Sequence, residues 1–248
     1  MPKFLYASAI LPGKSELVRQ IFRRQNESGT SPWDQGLAEA VGLYGCQAWL
    51  QRTPQRDYFV QCLETANFME LFTQFQNQVE LRNPHALWLR DFYLTTLGKD
   101  FGHHSAAPHT SCSLAMDLPT PGQRKTYTEG FVLPLQADKL SAYLEFCRQA
   151  TGEFLYRFQE AYQRFGATHI SYFLQRTAAQ NLLLVYQESL HMPTEHKMSQ
   201  LRDIRDQSPA CQWLTNSLIH LTGLPFDALQ PSPEMLMQGL KRSEARTG

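Results

Sequence analysis

The sequence predicts an α+β protein made of two tandem repeats, each combining an antiparallel sheet with helices. The first observation is an internal duplication, because residues 49–53 (WLQRT) recur as residues 173–177 (FLQRT). The second is that a pair of apolar segments surrounds each copy of this motif. The third is that a helical segment with a proline at its start and a glycine at its end follows each pair. Three blocks in the same order indicate that the fold itself is repeated.

Each half begins with a strand and a helix. Residues 4–11 are apolar and are followed by Pro-Gly, which predicts a strand and then a turn. Residues 15–28 carry apolar side chains at helical spacing and precede a glycine. The second half repeats this order, with a strand predicted over residues 130–134 and a helix around residues 140–147.

A β-hairpin is predicted next in each half. Residues 46–53 and 58–63 are separated by the polar tetrapeptide PQRD, which favours a tight connection between antiparallel strands. In the second half, residues 170–176 pair in the same way with residues 182–187. Because residues 182–186 are apolar on both faces, we expect this strand to be central in its sheet.

Two helices are predicted after each hairpin. The second helix begins at Asn83 in the first half and at Ser208 in the second, each followed by proline, and ends at Gly98 or Gly223. The polar side chain can accept hydrogen bonds from free amides, proline suits the first helical position, and glycine tolerates the left-handed closing conformation. Helix geometry explains these residues, so we assign them no function.

Each half therefore has the order β-α-β-β-α plus one helix, which is a ferredoxin-like plan if a last strand follows. Residues 111–118 are the candidate strand in the first half, whereas residues 235–240 could form a strand or a terminal helix. We predict two tandem ferredoxin-like repeats, 1–122 and 123–248. Helices cover only one face of such a sheet, so we expect the two antiparallel sheets to pack on each other as an intramolecular α/β barrel.

Composition disfavours several classes of partner. The 23 basic residues balance 23 acidic residues, whereas nucleic-acid-binding surfaces are usually basic. No apolar segment approaches the roughly 20 residues that cross a bilayer, and the N-terminal residues lack a secretory pattern. We therefore expect a soluble, cytoplasmic protein that binds neither nucleic acid nor membrane.

Metal and disulfide chemistry are not expected. Five scattered cysteines contain no Cys-x-x-Cys pair, which disfavours a disulfide framework and a cysteine-based zinc site. A short cluster between the halves contains potential metal ligands: His103, His104, His109 and Cys112. Its small and breaker neighbours are typical of a solvated linker, which we place at residues 102–110. We expect no metal and no cofactor, with metal binding by the cluster as a weaker alternative.

The repeated motifs resemble a known group of proteins. Residues 166–177 (GATHISYFLQRT), 182–188 and 208–223 resemble the pattern of small uncharacterised bacterial proteins of the dimeric α/β-barrel superfamily, and the hairpin resembles that of aromatic polyketide cyclases. The resemblance implies two ferredoxin-like units packed sheet against sheet, both supplied here by one chain, as a monomeric pseudo-dimer or a homodimer. The superfamily includes cofactor-independent oxygenases, haem-degrading enzymes, cyclases and isomerases, so the fold does not select a reaction.

Arg52 and Arg176 are the first candidate site residues because they are identical in the two halves. A guanidinium could hold a carboxylate, enolate or phenolate and oppose charge that develops on oxygen. Alternatively, each arginine closes its hairpin, with Asp57 as the partner in the first copy, or lies in solvent. Asn181 replaces Asp57 in the second copy, so burial of Arg176 would favour a ligand role.

The same strands supply further candidates for ligand binding. They are Trp49, Gln51, Tyr172, Phe173 and Gln175. Alternation along a strand sends Tyr172 to the face opposite Phe173 and Gln175. An apolar wall with a few amides suits a small organic ligand, and it also suits an ordinary interface between sheets.

Three histidines have no histidine counterpart in the first half: His169, His191 and His220. Any of them could be a general base in a site that has lost the symmetry of the repeat, and His169 is the catalytic candidate on the hairpin. Each could equally have a structural role. No motif for dinucleotide binding, nucleotide binding or classical hydrolysis is present.

The leading expectation is a protein that binds a small aromatic or anionic organic molecule. If it is an enzyme, we expect cofactor-free cyclisation, isomerisation or oxygenation, with an arginine stabilising an oxyanion and a histidine moving protons. The alternative is a non-catalytic structural or protein-interaction module whose sheets pack without a cavity. The sequence leaves open whether the protein is an enzyme.

Overall fold

A computed structural model describes residues 2–28, 33–102, 108–118, 127–190, 198–229 and 233–238. The first half contains β1 (Lys3–Ala9), α1 (Ser15–Ser28), α2 (Gln35–Ala40), β2 (Leu43–Gln51), β3 (Tyr58–Thr65), α3 (Phe68–Glu80), α4 (Pro84–Leu97) and β4 (His109–Asp117). The second contains β5 (Tyr127–Pro134), α5 (Leu140–Thr151), α6 (Leu155–Arg164), β6 (Ala167–Arg176), β7 (Asn181–Ser189), α7 (Met198–Gln207), α8 (Pro209–Thr222), a 3-10 turn (Phe226–Leu229) and β8 (Glu234–Gln238).

The predicted α+β class with two repeated halves is confirmed. The strands form two antiparallel four-stranded sheets, in the orders β1-β3-β2-β8 and β4-β6-β7-β5. The strand β7 is central, as its apolar sequence predicted. Strand pairing in the described part of the chain keeps the two sheets separate and does not close them into one barrel. Their packing on each other stays a prediction.

The two halves exchange their last strands. The strand β4 was predicted to complete the first half's own sheet, but it lies beside β6, and β8 pairs with β2. The compact units are therefore Met1–His109 with Glu234–Gly248, called unit 1, and Thr110–Pro233, called unit 2. The predicted halves describe the repeat in the sequence, whereas the chain packs into units that cross its midpoint. Alternation predicts that a segment is a strand, but it does not specify which sheet edge accepts it.

The helices α2 and α6 were not predicted. In α2, the Asp34 side chain accepts a hydrogen bond from the Gly36 amide at 3.0 Å and thereby caps a helix of only 6 residues. In α6, Phe158, Ala161 and Tyr162 are buried at helical spacing. This pattern was visible in the sequence, and α6 brings Tyr162 to the core of unit 2.

The predicted helix ends are confirmed. Asn83 Oδ1 accepts hydrogen bonds from the amides two and three residues later at 3.0 and 3.3 Å. Ser208 Oγ accepts one from the amide three residues later at 3.3 Å. Gly98 and Gly223 close α4 and α8 with φ of +64° and +70°, where a side chain would be strained.

Both faces of the central strands of each sheet are largely buried, whereas the edge strand β4 is mostly exposed. In unit 1, Leu50 and Phe59 pack with the helices, while Trp49 and Val60 on the opposite face are at most 1% exposed. In unit 2 both faces of β7 are also buried, since Leu182 to Tyr186 are all buried. Each such large apolar side chain contributes about 1.5–3 kcal/mol to folding, so the two-sided burial stabilises both sheets. Within the described helices, none is long and apolar enough to cross a membrane.

Candidate functional site

The strand ladders and the paired helices align the two units residue by residue. Trp49 pairs with Val60 as Phe173 pairs with Leu184, so the hairpins correspond directly. The helices α4 and α8 have the same length of 14 residues. Each has a polar N-cap side chain, a proline at its start and a glycine at its end. At three equivalent core positions, unit 1 has a side chain with a polar group and unit 2 has an apolar one. The pairs are Tyr6 and Phe131, Gln61 and Val185, and Tyr93 and Leu218.

In unit 1 these positions hold a closed hydrogen-bond network. Gln61 Oε1 accepts from the hydroxyl of Tyr6 and, at 3.0 Å, from the hydroxyl of Tyr93. Gln61 Nε2 lies 3.0 Å from Cys46 Sγ and donates to it. All four side chains are buried, and burial raises the pKa of both tyrosines and of the cysteine. Because these polar groups satisfy each other, the network fills the core of unit 1.

In unit 2 the equivalent positions line a cavity of about 50 Å³ between the sheet and the helices. Its walls are Phe131, Leu133, Tyr162, Phe165, Val185, Gln187, Leu201, Leu214, Thr215, Leu218 and Leu229. Most are apolar and buried, while Phe165 and Gln187 are half-buried and form the rim. Polar groups come from Tyr162, Thr215 and Gln187. A mainly apolar lining with few polar groups is typical of small-molecule sites, but the volume is far below the roughly 300 Å³ at which such sites begin.

Glu129 is not a wall residue of this cavity, but it is hydrogen-bonded to Gln187, which is one. Glu129 is 8% exposed, and Gln187 Nε2 donates a hydrogen bond to Glu129 Oε2 at 3.0 Å. Burial raises the pKa of Glu129 to about 7, and the hydrogen bond from Gln187 opposes part of that rise. In unit 1 the matching ladder position pairs Phe4 with Leu63, so the acid and the amide occur only in unit 2.

Two tyrosines add hydroxyl groups on the same side of the sheet. The hydroxyls of Tyr162 and Tyr172 are hydrogen-bonded to each other, and both side chains are buried. Burial raises the pKa of each above its ordinary value, so both remain neutral donors at neutral pH. A carboxyl group whose pKa is raised toward 7 can give or take a proton, and a neutral tyrosine hydroxyl can donate to a developing oxyanion.

The candidate arginines do not reach this site. Arg52 and Arg176 are both exposed, which agrees with the alternative in which they lie in solvent. Arg176 and His169 lie on opposite faces of β6 and are seven residues apart, or roughly 23 Å along the strand. The structure therefore separates Arg176 from His169, the pair that the proposed arginine and histidine chemistry would need together in unit 2.

Of the predicted ligand-binding residues, Tyr172 lies on the cavity side of its sheet. The others are on the opposite face and are at most 5% exposed: Trp49, Gln51, Phe173 and Gln175. His169 also lies on that opposite face, where its ring contacts Asp117 and Ser171. Within unit 2, the sheet thus separates Tyr172 from Phe173, Gln175 and His169.

The predicted linker is partly a strand. His109 begins β4 and is exposed, and Cys112 is exposed with its thiol 3.6 Å from the carbonyl of Leu114. His103, His104 and His191 lie outside the described residues. Within the described ranges, no group of three or more histidine, cysteine, aspartate and glutamate side chains is placed to hold a metal ion. His220 is near the surface, with Nε2 3.3 Å from Lys139 Nζ.

Sequence reasoning missed the residues that define the cavity. Glu129 is the one charged residue in the segment YTEGFVLPL, and a lone acid within an apolar strand was an available signal. Gln187 is likewise a polar residue directly after the apolar run of β7. The cavity itself could not be foreseen, since it depends on the side chains of β5, β7, α6 and α8 together.

Comparisons with known proteins give limited information. No protein-family model and no curated protein sequence matches the chain. The chain is similar to a crystal structure of a provisionally named monooxygenase from Fusobacterium nucleatum, with 8% identity and a TM-score of 0.46 over 96% of this chain and 95% of that one. A similarity at this level carries no argument about activity.

Proposed function

We propose that unit 2 binds a small, mainly apolar organic molecule in its cavity and catalyses proton transfer on it. Glu129 is the general base and acid, and Tyr162 donates a hydrogen bond to the substrate oxygen. The observation that carries the proposal is the buried carboxyl of Glu129 beside a cavity that unit 1 fills with its own side chains.

The chemistry follows from the environment of the acid. The ionised Glu129 removes a proton from a carbon next to a carbonyl group, and the Tyr162 hydroxyl stabilises the resulting enolate oxygen. The protonated Glu129 then returns that proton to another atom of the enolate, which isomerises the substrate. If the enolate carbon first attacks a second carbonyl, the product is a ring. Either route needs no cofactor.

The size of the cavity limits the substrate. Its volume of about 50 Å³ is below the roughly 150 Å³ of a cavity that holds benzene. An aromatic ring therefore enters only when side chains of the wall move outward. The half-buried Phe165 and Gln187 leave the rim open to the remainder of the molecule.

The test is base-catalysed exchange of a neutral aromatic ketone. Phenylacetone in D2O is followed by proton NMR, which measures loss of its benzylic hydrogens with and without the protein. We expect exchange faster than in buffer, a loss of about 100-fold or more in Glu129→Gln, and no effect in Glu145→Gln, which replaces an exposed glutamate of α5. Leu218→Tyr should also abolish exchange, because it places the tyrosine of unit 1 inside the cavity.

Two results would contradict the proposal. One is exchange at the buffer rate in the wild-type protein together with no change in the Glu129 carboxyl resonance when phenylacetone is added. The other is exchange that survives both Glu129→Gln and Leu218→Tyr. Either would favour the non-catalytic interaction module. Location in the cytoplasm, and a monomer or homodimer that binds neither nucleic acid nor membrane, remain part of the proposal.

A further inference from the structure

A second polar cluster lies in unit 2 on the face of the sheet that is opposite the cavity. His169 Nδ1 lies 2.7 Å from Asp117 Oδ1, and His169 Nε2 lies 2.7 Å from Ser171 Oγ. His169 and Ser171 are two residues apart on β6 and so share a face, while Asp117 ends the neighbouring strand β4. The order carboxylate, imidazole, hydroxyl is the constellation that activates a serine nucleophile.

The carboxylate fixes the tautomer of the imidazole. The Asp117 side chain is 95% exposed and can only accept when ionised, so the imidazole presents its N–H at Nδ1. His169 Nε2 then carries a lone pair and accepts the proton of the Ser171 hydroxyl. Ser171 itself is 3% exposed, which shields its hydroxyl from competing water.

Neighbouring side chains on this face point to a ligand. Across the ladder, Ser171 is opposite Tyr186, whose hydroxyl donates to Glu188 Oε1 at 2.9 Å. Thr128 on β5 pairs with Glu188 and is only 6% exposed. Its Oγ1 nevertheless has no hydrogen-bond partner among the described residues. A buried hydroxyl without a partner costs about 1–3 kcal/mol, and a bound polar group would remove that cost.

The cluster is particular to unit 2. The equivalents of His169 and Ser171 in unit 1 are Gly45 and Gln47, which can form neither the base nor the nucleophile. The adjacent acid is present in both units, as Glu64 and Glu188. A structural requirement of the repeated sheet would apply to both copies, so the loss of symmetry favours a function confined to unit 2.

We propose that Ser171 is an acyl-accepting nucleophile, activated by His169 and oriented by Asp117, and that its substrates are small esters or thioesters with apolar acyl groups. Ser171 Oγ bonds to the carbonyl carbon while His169 Nε2 takes its proton. The bond from that carbon to the alcohol or thiol then breaks, and the leaving group receives the proton from His169. Water attacks the acyl-serine by the same route and releases the carboxylic acid. The side chains next to Ser171 on this face include the buried Phe173 and Leu184, which favours an apolar acyl group over a polar one.

The test is covalent labelling with a fluorophosphonate bearing a short alkyl chain. Intact mass should show one adduct on the full chain, and peptide mapping should place it on Ser171. We expect no adduct in Ser171→Ala and labelling slowed by at least about 100-fold in His169→Ala. Ser217→Ala is the matched control, because Ser217 on α8 only donates to the carbonyl of Trp213, and it should label like the wild type.

The labelling experiment separates this inference from the proposed function. Glu145→Gln, at an exposed glutamate of α5 that belongs to neither site, should leave the rate of labelling unchanged, and an adduct on Ser171 is detected whether or not phenylacetone exchanges. An unlabelled wild-type protein, or an adduct mapped to another residue, would overturn the proposal. Mapping in the wild type decides the matter even if Ser171→Ala does not fold.

Discussion

At the scale of single residues, the two units differ in the hydrogen-bond partners of a buried polar side chain. Gln61 in unit 1 is satisfied by two tyrosine hydroxyls and a thiol. Glu129 in unit 2 has an amide partner but remains beside a cavity, and burial raises its pKa to about 7. Since a carboxyl group ionises more easily in the unfolded chain, Glu129 links proton binding to stability.

The first prediction concerns the pH dependence of stability. Between pH 4.5 and 7 the folded protein keeps the Glu129 proton that the unfolded chain has lost, so this contribution falls as pH rises and is gone above pH 7. The loss is about 3 kcal/mol from Glu129 alone. Urea unfolding at pH 5 and pH 8 should show a smaller difference in Glu129→Gln than in the wild type. An equal difference in both proteins would show that Glu129 is ionised normally.

The second prediction concerns the network of unit 1. Replacing Gln61 by leucine leaves the hydroxyls of Tyr6 and Tyr93 buried without their shared acceptor. We expect a loss of about 2–4 kcal/mol in the free energy of unfolding. The matched control is Val185→Leu at the equivalent position of unit 2, which removes no polar partner and fills part of the cavity. A smaller loss in Gln61→Leu than in Val185→Leu would contradict this account of the network.

The sequence predicted single residues well where local geometry decides. Asn83, Ser208, Gly98 and Gly223 cap their helices as expected. For Arg52 and Arg176 it left a ligand role and exposure to solvent open, because identity between repeats does not report whether a side chain is buried; both side chains are exposed. It also missed Glu129, whose importance depends on a cavity formed by residues distant in the chain.

At the scale of elements, the Asn83 side chain should stabilise the start of α4. Asn83 accepts two amide hydrogen bonds and Ser208 accepts one. We expect Asn83→Ala to cost about 1 kcal/mol or more and Asn83→Ser much less, because serine is also a good cap. Thermal unfolding of the wild type, Asn83→Ala and Asn83→Ser measures these losses of stability. Equal losses for alanine and serine would indicate that the side chain acts through another contact.

The hairpins and capped helices were predictable because each carries its own periodicity and turn residues. The helix α2 was missed since 6 residues are too few to show a helical pattern clearly. The partners of β4 and β8 were not predictable, because both units offer an edge of the same design. Pairing at a sheet edge is decided by the folded chain as a whole.

At the scale of the whole molecule, strand exchange makes each unit depend on the far half of the chain. A chain that ends at Pro233 lacks β8, whereas one that ends at Gln238 retains it. We expect the shorter chain to lose protection from amide hydrogen exchange on β2, since the ladder between β2 and β8 is absent. Equal protection of β2 in the two chains would show that β8 does not stabilise unit 1.

Duplication gives the molecule two copies of one scaffold with different interiors. Unit 1 has a hydrogen-bonded network around Gln61, while unit 2 has an apolar cavity at the equivalent positions, with Glu129 hydrogen-bonded to one of its wall residues. A serine-histidine-aspartate cluster lies on the other face of the unit 2 sheet. A cavity reduces stability, which favours a functional reason for keeping it. We therefore assign function to unit 2.

The most direct test of the central claim is the titration of the Glu129 carboxyl carbon by NMR, assigned by comparison with Glu129→Gln. The account predicts a midpoint near pH 7, because burial beside the cavity disfavours the ionised form. A midpoint near 4.5, the ordinary value for a solvated glutamate, would contradict it, since such a group could not act as the acid and base of a buried site.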